Sequence, residues 1–288
     1  MDQLLNDLTK EQKKYPQDKQ LTLLATQAQN LSQRLSGALY LSPTTLAKLP
    51  AGALFPKIIP SGGALYILNT SSSQLLTLSH AGKVQTSAIN ALGKEAPQQL
   101  LATDSGLAVM SPNTLATLSP QAQMGEQSHF QNAALAATGF RQNAYILDGQ
   151  AGQILRFTRQ SDTFAPPTPY LKGPLDSTGL VDLAVDGSVY VLRQTGSVEM
   201  YLGGTKQPFA LQRASLAQKP LTLIATPDTS FIYVLTTKAL FKWTKDGKFS
   251  AQYRLPKDAS WSAVGIDETA KTFYIASNGE ILKAPIPQ

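Results

Sequence analysis

Residues 189–192 read Val-Tyr-Val-Leu, and this short hydrophobic pattern around a tyrosine recurs along the chain. The related tetrapeptides are residues 65–68 (LYIL), 107–110 (LAVM), 144–147 (AYIL), 232–235 (IYVL) and 273–276 (FYIA). Successive copies are 37 to 45 residues apart, which is the length of one four-stranded blade of a β-propeller. The six copies therefore predict a six-bladed β-propeller.

Each copy belongs to a larger unit with the pattern of antiparallel strands. After residues 144–147, for example, a turn segment (148–152, DGQAG) leads to a second apolar run at residues 153–157 (QILRF). Two apolar runs joined by a short Gly-containing segment indicate a β-hairpin. Small residues precede the copy, as in residues 133–137 (AALAA), and small side chains suit inner strands that converge on a propeller axis. The pattern predicts an all-β fold with four strands in each repeat.

Residues 1–36 do not follow the repeat and are predicted to form a helical segment that precedes a propeller over residues 37–288. Asp18 is the expected N-cap of a helix that runs to about residue 35. Its apolar positions recur at steps of three and four residues, which is typical of a helix: Leu21, Leu24, Ala28, Leu31 and Leu35. Two arrangements are open, because the helix can pack on the propeller or belong to a longer helical stalk.

The last repeat ends at residues 284–288 (APIPQ), directly after its third strand. A blade without its fourth strand would leave unpaired backbone groups at an edge. Residues 38–41 (ALYL) lie between the helix and the first blade and are apolar enough to fill that position. We therefore expect this N-terminal segment, with Ala38 and Leu41 at its ends, to close the ring.

The composition excludes several classes of site. The chain has no cysteine, which excludes disulfides, thiolate metal sites and cysteine nucleophiles. The net charge is +6, but no run of four basic residues occurs, whereas nucleic-acid binders concentrate their charge. We therefore expect no specific nucleic-acid partner. No apolar stretch reaches the roughly 18 residues that cross a bilayer, and the first residues lack the pattern of a secretory signal.

Two blades carry a more specific pattern. Residues 181–192 (VDLAVDGSVYVL) resemble the strand–turn–strand signature of NHL-type and related propellers, and residues 144–157 resemble it in a second blade. The resemblance covers about residues 50–288 and implies an NHL- or SMP-30-like propeller. The acidic residue after the second strand of this signature is present as Asp148, whereas Asn69, Arg193 and Thr236 occupy the same position in three blades. No Trp-Asp pair of the WD40 kind and no kelch double glycine is present.

The order of the segments carries a second resemblance. A helical region followed by a Gln- and Thr-rich propeller resembles the C-terminal half of certain membrane-anchored proteins of candidate-phylum bacteria. In those proteins a PP2C-type phosphatase domain and one membrane helix come first. The missing secretory signal leaves two alternatives open, a cytosolic protein and a fragment of a longer one. The resemblance favours the second, in which Met1 begins a fragment and the propeller is an extracytoplasmic domain of a membrane-anchored protein.

The SMP-30 resemblance implies one enzymatic alternative, a metal-dependent lactonase-like hydrolase with a divalent ion at the propeller axis. Such a site requires several converging oxygen ligands, and Asp182, inside an inner strand, is the first candidate. The aspartates of the inner hairpin turns are instead predicted to accept hydrogen bonds from turn amides: Asp104, Asp186, Asp228 and Asp267. One carboxylate does not make a cation site, so we expect no metal and no other cofactor.

The sequence offers no candidate for nucleophilic catalysis. The two histidines, His80 and His129, fall at outer hairpins or connections of different blades and are interpreted as surface residues. A catalytic triad would need one of them beside an activated serine and an orienting carboxylate. The motifs of serine hydrolases, nucleotide-binding loops and zinc proteases are all missing. We therefore predict no catalytic residues.

The leading hypothesis is a non-catalytic binding, sensor or scaffold module, a monomeric propeller that recognises a protein or glycan partner through its loop faces. Arg141, Arg193 and Lys238 are predicted to line one rim and bind an anionic group. The proline-rich residues 164–171 (FAPPTPYL) are the most distinctive loop. Phe164 and Tyr170 there either form an exposed contact patch or cover the edge of a blade.

Overall fold

A computed structural model describes residues 7–287, apart from residues 9, 13, 51–53, 91, 93–94 and 257–258. The side chains of residues 29–36 lie outside this description, those of Leu31 and Leu35 among them. Among the described residues, no helix combines the length and the hydrophobicity that a membrane span requires.

The N-terminal helix, α1 (Lys19–Ser36), begins where the sequence predicts. Asp18 is its N-cap, since its Oδ1 accepts hydrogen bonds from the backbone N–H groups of Gln20 at 2.9 Å and Leu21 at 3.0 Å. Leu23 and Leu24 are more than half exposed. No described side chain of α1 belongs to the hydrophobic clusters of the propeller. The described part of the helix thus adds little to the core.

The strands form six antiparallel sheets, the blades of the propeller. Two strands precede them: β1 (Ala38–Tyr40) and β2 (Thr44–Lys48). Blade 1 contains β3 (Ile58–Ser61), β4 (Ala64–Asn69), β5 (Gln74–Ser79) and β6 (Val84–Ala88). Blade 2 contains β7 (Gln99–Thr103), β8 (Gly106–Met110), β9 (Thr114–Leu118) and β10 (Met124–His129). Blade 3 contains β11 (Ala136–Phe140), β12 (Asn143–Asp148) and β13 (Gln153–Gln160), with β14 (Thr163–Phe164) and β15 (Thr168–Pro169) along its outer edge.

The second half of the ring repeats the arrangement. Blade 4 contains β16 (Leu180–Val185), β17 (Val189–Arg193), β18 (Val198–Leu202) and β19 (Thr205–Lys206). A 3₁₀ helix (Ala214–Ala217) leads to blade 5, with β20 (Thr222–Ile224), β21 (Phe231–Leu235), β22 (Leu240–Thr244) and β23 (Phe249–Arg254). Blade 6 contains β24 (Ala263–Asp267), β25 (Thr272–Ser277) and β26 (Glu280–Pro285). The first strand of each blade lies at the axis, and β24 packs beside β3 where the ring closes.

The closing strand is N-terminal, as expected, but it is not the predicted segment. β2 pairs antiparallel with β26, with Thr44 opposite Lys283, and supplies the fourth strand of blade 6. The predicted segment forms β1, which pairs parallel with β23 and widens blade 5. Burial of Leu41 explains why this segment joins blade 5, since the side chain packs in the hydrophobic cluster between blades 5 and 6. The outer edge of blade 6 needs a strand with only one buried face, which the more polar β2 provides.

Hydrophobic clusters between neighbouring blades make up the core. Between blades 5 and 6, four aromatic side chains are at most 1% exposed: Tyr233, Tyr253, Trp261 and Phe273. The rings of Tyr233 and Phe273 meet edge to face, with centroids 6.3 Å apart. Tyr233 is one of the recurring tyrosines, and Tyr145, Tyr190 and Tyr274 are buried as well. The recurring pattern therefore marks the aromatic residue with which a blade packs on its neighbour.

Candidate functional site

The hairpin turns of the blades lie at two opposite ends of the ring. The turns between the first and second strands lie at one end, which we call the upper face, together with those between the third and fourth strands. The turns between the second and third strands lie at the other end, the lower face. This follows from the antiparallel order of the strands in every blade, since each turn reverses the chain direction.

A cavity of about 520 Å³ lies on the axis at the upper face, and we call it the axial funnel. Its walls come from the inner strands and turns of blades 1, 2, 3, 5 and 6. Lys57 and Thr222, at the beginning of inner strands, lie at its base. Ile59, Ile224 and Ile266 line the middle, and the turns that follow form the rim. The funnel thus runs from a charged base through an apolar wall to a polar rim.

Lys57 lies just before β3 and extends from blade 1 across the axis. Its Nζ donates a hydrogen bond to the carbonyl of Ala137 in blade 3, at the long distance of 3.5 Å. Within the part of the chain that the structure describes, this is the only hydrogen bond of the ammonium group, and it forms no ion pair. An ammonium has three donors, so its capacity to donate remains largely unused. No motif surrounds Lys57 in the sequence, so the sequence did not indicate this residue.

Asp182 on β16 joins blade 4 to blade 5 below the funnel. Its Oδ2 accepts hydrogen bonds from the hydroxyl of Thr222 at 2.6 Å and the backbone N–H of Leu223 at 2.8 Å. Its Oδ1 accepts one from the N–H of Leu183 at 2.8 Å. Burial raises the pKa of this carboxyl group, and the charge of Lys57 and the three donors oppose that shift. The residue is a buried clamp between two inner strands.

The surroundings of Asp182 do not fit a divalent cation. Its oxygens already accept three hydrogen bonds. The charged group that acts on its pKa is a cation, the ammonium of Lys57. Among the described residues, no three His, Cys, Asp or Glu side chains are grouped so that they could hold a metal ion. A hard cation needs several convergent oxygen ligands. We therefore derive no chemistry through a metal at the axis.

Acidic side chains dominate the rim. Asp267 Oδ1 accepts a hydrogen bond from the N–H of Ala270 at 2.7 Å, as predicted for a turn aspartate. Asp186, in the corresponding turn of blade 4, likewise accepts one from Ser188 at 3.1 Å. The prediction was wrong for Asp104 and Asp228, whose side chains are exposed and make no hydrogen bond or ion pair in the described structure. These two carboxylates remain available at the rim.

Glu268 also lies at the rim but is committed to the contact between blades 5 and 6. Its Oε2 accepts a hydrogen bond from the N–H of Ser230 at 2.8 Å, and its Oε1 accepts one from the hydroxyl of Tyr233 at 2.9 Å. Burial, with the charge of Glu268, raises the pKa of Tyr233. The tyrosine therefore stays protonated and donates to the carboxylate. This residue is a second clamp between blades.

Arg141 is the exposed cation of the rim. It lies in the upper turn between β11 and β12 with a φ of 52°, a left-handed conformation that is uncommon for residues other than glycine. Its guanidinium lies 5.3 Å from the ring centre of Phe140. In the described structure it forms no side-chain hydrogen bond and no ion pair. Arg141 thus faces the rim carboxylates from blade 3, on the opposite side from blade 6.

His80 lies at the rim as well, in the upper turn after β5. It is exposed, and its ring stacks on Tyr274 of blade 6 with centroids 5.6 Å apart. His129 is distant in the fold, at the end of β10, where Nδ1 lies 3.1 Å from the hydroxyl of Thr114. Both are surface residues, as the sequence indicates, but only His80 belongs to the funnel.

Arg141, Arg193 and Lys238 do not line one rim, contrary to the prediction. Arg193 ends β17, and Lys238 lies in the turn between β21 and β22, so both belong to the lower face. Arg141 precedes the recurring tyrosine of its blade, whereas the other two follow theirs. That difference was visible in the sequence, because residues before and after one strand lie at opposite ends of a blade.

Arg193 is a structural residue. Its Nη2 lies 3.0 Å from Glu199 Oε1, and its Nη1 donates to the carbonyls of Asp176 at 2.7 Å and Thr178 at 2.6 Å. A second cavity, of about 480 Å³, lies beside this group at the edge of blade 4. Three of its charged side chains form one group, since Lys206 also lies 3.2 Å from Glu199, the partner of Arg193. The guanidinium is therefore occupied by the protein itself.

Replacing Arg193 with methionine is expected to lower the free energy of unfolding by about 2 kcal/mol. The substitution leaves the half-buried Glu199 without its closest cation and two carbonyl groups without a donor. Urea denaturation measures the change. Lys238→Met removes the same charge from an exposed position and should leave stability nearly unchanged. Equal stability of the two variants would contradict the structural role of Arg193.

The proline-rich segment covers the edge of blade 3. Phe164 belongs to β14, is 4% exposed and packs in the cluster between blades 2 and 3. Tyr170 is half-buried, and its ring meets Tyr145 edge to face with centroids 5.5 Å apart. Between them, β15 pairs with β13. Of the two alternatives, edge cover fits these positions, and Phe164 in particular has no surface with which to contact a ligand.

Comparison with known proteins supports the fold. No protein-family model matches the sequence, and no curated protein matches it. Similar solved structures include a catalytically inactive virginiamycin B lyase from Staphylococcus aureus with quinupristin (TM-score 0.58, 13% identity, 83% of this chain and 82% of that one). A gluconolactonase from Xanthomonas campestris (0.59, 12%, 84% and 89%) and the calcium-binding protein regucalcin from Agrobacterium tumefaciens (0.57, 11%, 86% and 94%) are also similar. The chain is thus a six-bladed β-propeller with neighbours among the gluconolactonase-like and virginiamycin lyase propellers, and at these identities the similarity concerns the fold alone.

Proposed function

We propose that the protein is a non-catalytic binding module that takes its ligand in the axial funnel. One observation carries the proposal: the funnel combines an apolar wall with charged groups that the protein leaves largely unused. Lys57 is at the base, and Asp104, Asp228 and Arg141 are at the rim. Ligand sites typically combine mostly apolar walls with a few polar groups that fix the orientation of the ligand.

The volume and shape of the funnel fit a small or narrow ligand. About 520 Å³ lies within the usual range of ligand pockets, roughly 300–1,000 Å³. A wide, flat protein surface does not enter such a cavity, but a protruding segment or a single chain does. The expected protein or glycan partner is therefore one that inserts part of its chain into the funnel along the axis.

The committed side chains favour binding over catalysis. Two acids of this region are occupied by hydrogen bonds, the buried Asp182 by three donors and the half-buried Glu268 by two. His80 stacks on Tyr274, and none of the described carboxylates forms an ion pair with its ring. General acid–base catalysis needs a titrating group positioned toward the reacting atoms. The groups that remain available are Lys57 at the base and Asp104, Asp228 and Arg141 at the rim. These exposed or unpaired charges suit recognition of a charged ligand.

A substitution that fills the funnel tests this proposal. Ala102 lies on β7 and lines the cavity wall, so Ala102→Trp places a large ring inside it. A panel of oligopeptides, oligosaccharides and sugar lactones is screened by thermal shift with the wild-type protein. Ligands that raise its Tm should lose their effect on Ala102→Trp and keep it on Lys238→Met, a variant of the lower face.

The same samples distinguish binding from turnover. Each ligand is recovered after incubation, with and without a divalent ion, and its mass is measured. An unchanged mass supports a binding module. Conversion that depends on the ion would overturn the proposal in favour of a lactonase-like hydrolase, and binding that the tryptophan does not affect would place the site elsewhere. Circular dichroism shows whether Ala102→Trp keeps the fold.

A further inference from the structure

We propose that the ligand of the axial funnel is the carboxyl-terminal end of a peptide, with a basic side chain about three residues before its last residue. This inference rests on the proposed function and adds the chemical class of the ligand. The terminal carboxylate lies at the base of the funnel against Lys57. The basic side chain lies at the acidic rim.

The base of the funnel favours a carboxylate. The Lys57 ammonium is half-buried and makes one hydrogen bond of 3.5 Å, so most of its donor capacity faces the cavity. Asp182 below it already accepts three hydrogen bonds and makes no direct ion pair with Lys57 in the described structure. Hydrogen bonds between an ammonium and a carboxylate are among the stronger ones in proteins. A negative group at the end of a ligand therefore gains most at this position.

The middle of the funnel favours short aliphatic side chains. Ile59, Ile224 and Ile266 line it from three blades, and Ala102 lines it from blade 2. The inner strand of blade 1, β3, has four residues, which at about 3.3 Å per residue gives a depth of about 13 Å. An extended peptide covers this depth with about four residues. The distance between base and rim is too long for a single amino acid.

The rim favours a cation. Asp104, Asp228 and Asp267 carry three negative charges there, and Arg141 is the one exposed cation among the described residues that line the funnel. Asp104 and Asp228 make no hydrogen bond or ion pair in the described structure. Asp267 uses only one of its oxygens, toward Ala270. A lysine or arginine of the ligand finds uncompensated carboxylates at this height, while an acidic side chain is repelled.

Two peptides that differ in one group test the base of the funnel. The probe is the hexapeptide Gly-Gly-Lys-Ala-Val-Ala with a fluorophore at its amino end, prepared with a free carboxylate or with a terminal amide. Fluorescence polarisation measures both affinities. The acid is expected to bind wild-type protein about tenfold more tightly than the amide, the effect of one charge-assisted contact. Lys57→Met should remove this preference, and Lys57→Arg should keep it.

Fluorescence polarisation also tests the role of the rim and the control variant. Asp228→Asn is expected to weaken the lysine peptide a few-fold without changing a peptide that has glycine in place of lysine. Lys238→Met is the control, because it replaces a lysine of the lower face with the same residue. It should change neither the affinity for the acid nor the affinity for the amide. Binding of acid and amide with equal affinity to wild-type protein would overturn the inference, and so would an unchanged preference in Lys57→Met.

Failure of this inference is distinguishable from failure of the proposed function. If neither peptide binds while a sugar or lactone of the panel binds in a manner that Ala102→Trp abolishes, the funnel is a binding site for a different class of ligand. If peptides bind equally well to Ala102→Trp, the funnel is not the site, and both proposals fall.

Discussion

Replacing Gly139 with alanine is expected to lower the free energy of unfolding by about 3 kcal/mol, the upper end of the usual cost of overpacking. Gly139 lies on β11, and a Cβ atom there would be 1.8 Å from the carbonyl oxygen of Ala102 and 2.6 Å from its carbonyl carbon. Both atoms belong to the backbone of β7 in the neighbouring blade. Neither strand can yield without moving the blades apart, because both are hydrogen-bonded inside their own sheets.

The effect of Gly139 comes from space and not from backbone conformation, since its φ lies outside the left-handed region that favours glycine. Gly173→Ala is the matched control, because a Cβ at that position would meet no atom within 4 Å and its φ is likewise ordinary. We expect the control to change stability by less than about 0.5 kcal/mol. Thermal and urea unfolding of the two variants measure the difference. Equal stabilities would show that the inner strands of blades 2 and 3 are less tightly packed than the structure indicates.

Replacing Asp182 with alanine is expected to lower the free energy of unfolding by about 3 kcal/mol. The substitution leaves three buried donors without an acceptor: the hydroxyl of Thr222 and the N–H groups of Leu183 and Leu223. It also removes a negative charge that interacts with the ammonium group of Lys57. Urea denaturation measures the loss, and Asp228→Ala, an exposed aspartate without such contacts, should change little. A similar loss of unfolding free energy in both variants would contradict the role of Asp182 as a clamp between blades 4 and 5.

Asp182 also makes a prediction about pH. Burial raises the pKa of this carboxyl group above its ordinary value of 3.8, so the folded state holds the proton more tightly than the unfolded chain. The stability that this group contributes is therefore complete below about pH 3.8 and decreases as the pH rises through the folded pKa. The test compares the free energy of unfolding of the wild-type protein with that of Asp182→Asn, which does not titrate, in urea denaturation at several pH values. Between about pH 3.8 and the folded pKa of Asp182, the wild-type protein should lose stability relative to the variant as the pH rises. A difference that increases with pH would show that the three donors and Lys57 outweigh burial.

Much of the fold was predictable because its signals are local. The hydrophobic tetrapeptide with Tyr233 at its centre identifies a strand that packs on the next blade, and its recurrence gives the number of blades. Asp18 identifies the beginning of α1 through bonds to residues two and three positions ahead. The composition of the proline-rich segment is compatible with both alternatives, an exposed contact patch and a cover for the edge of a blade. Only the packing of Phe164 in the core distinguishes them.

The closing strand and the site were less predictable, for a different reason. Residues 38–41 and 44–48 are both suitable outer strands, and the choice depends on the surface that Leu41 finds between blades 5 and 6. Lys57 has no motif, so its position at the base of the funnel is visible only once blade 1 and blade 3 meet across the axis. Arg141 and Arg193 were grouped by charge, although they lie at opposite ends of their blades.

The sequence by itself determined the number of blades, their four-stranded order, the cap of the helix and the lack of a motif for nucleophilic catalysis. These depend on alternation along a strand and on turn chemistry, which act over a few residues. The tertiary structure decided which strand closes the ring, which acids become clamps and which charges meet at the axis. Ring closure brings together inner strands that are far apart in the chain, and the distances between their side chains follow from the packing of all six blades.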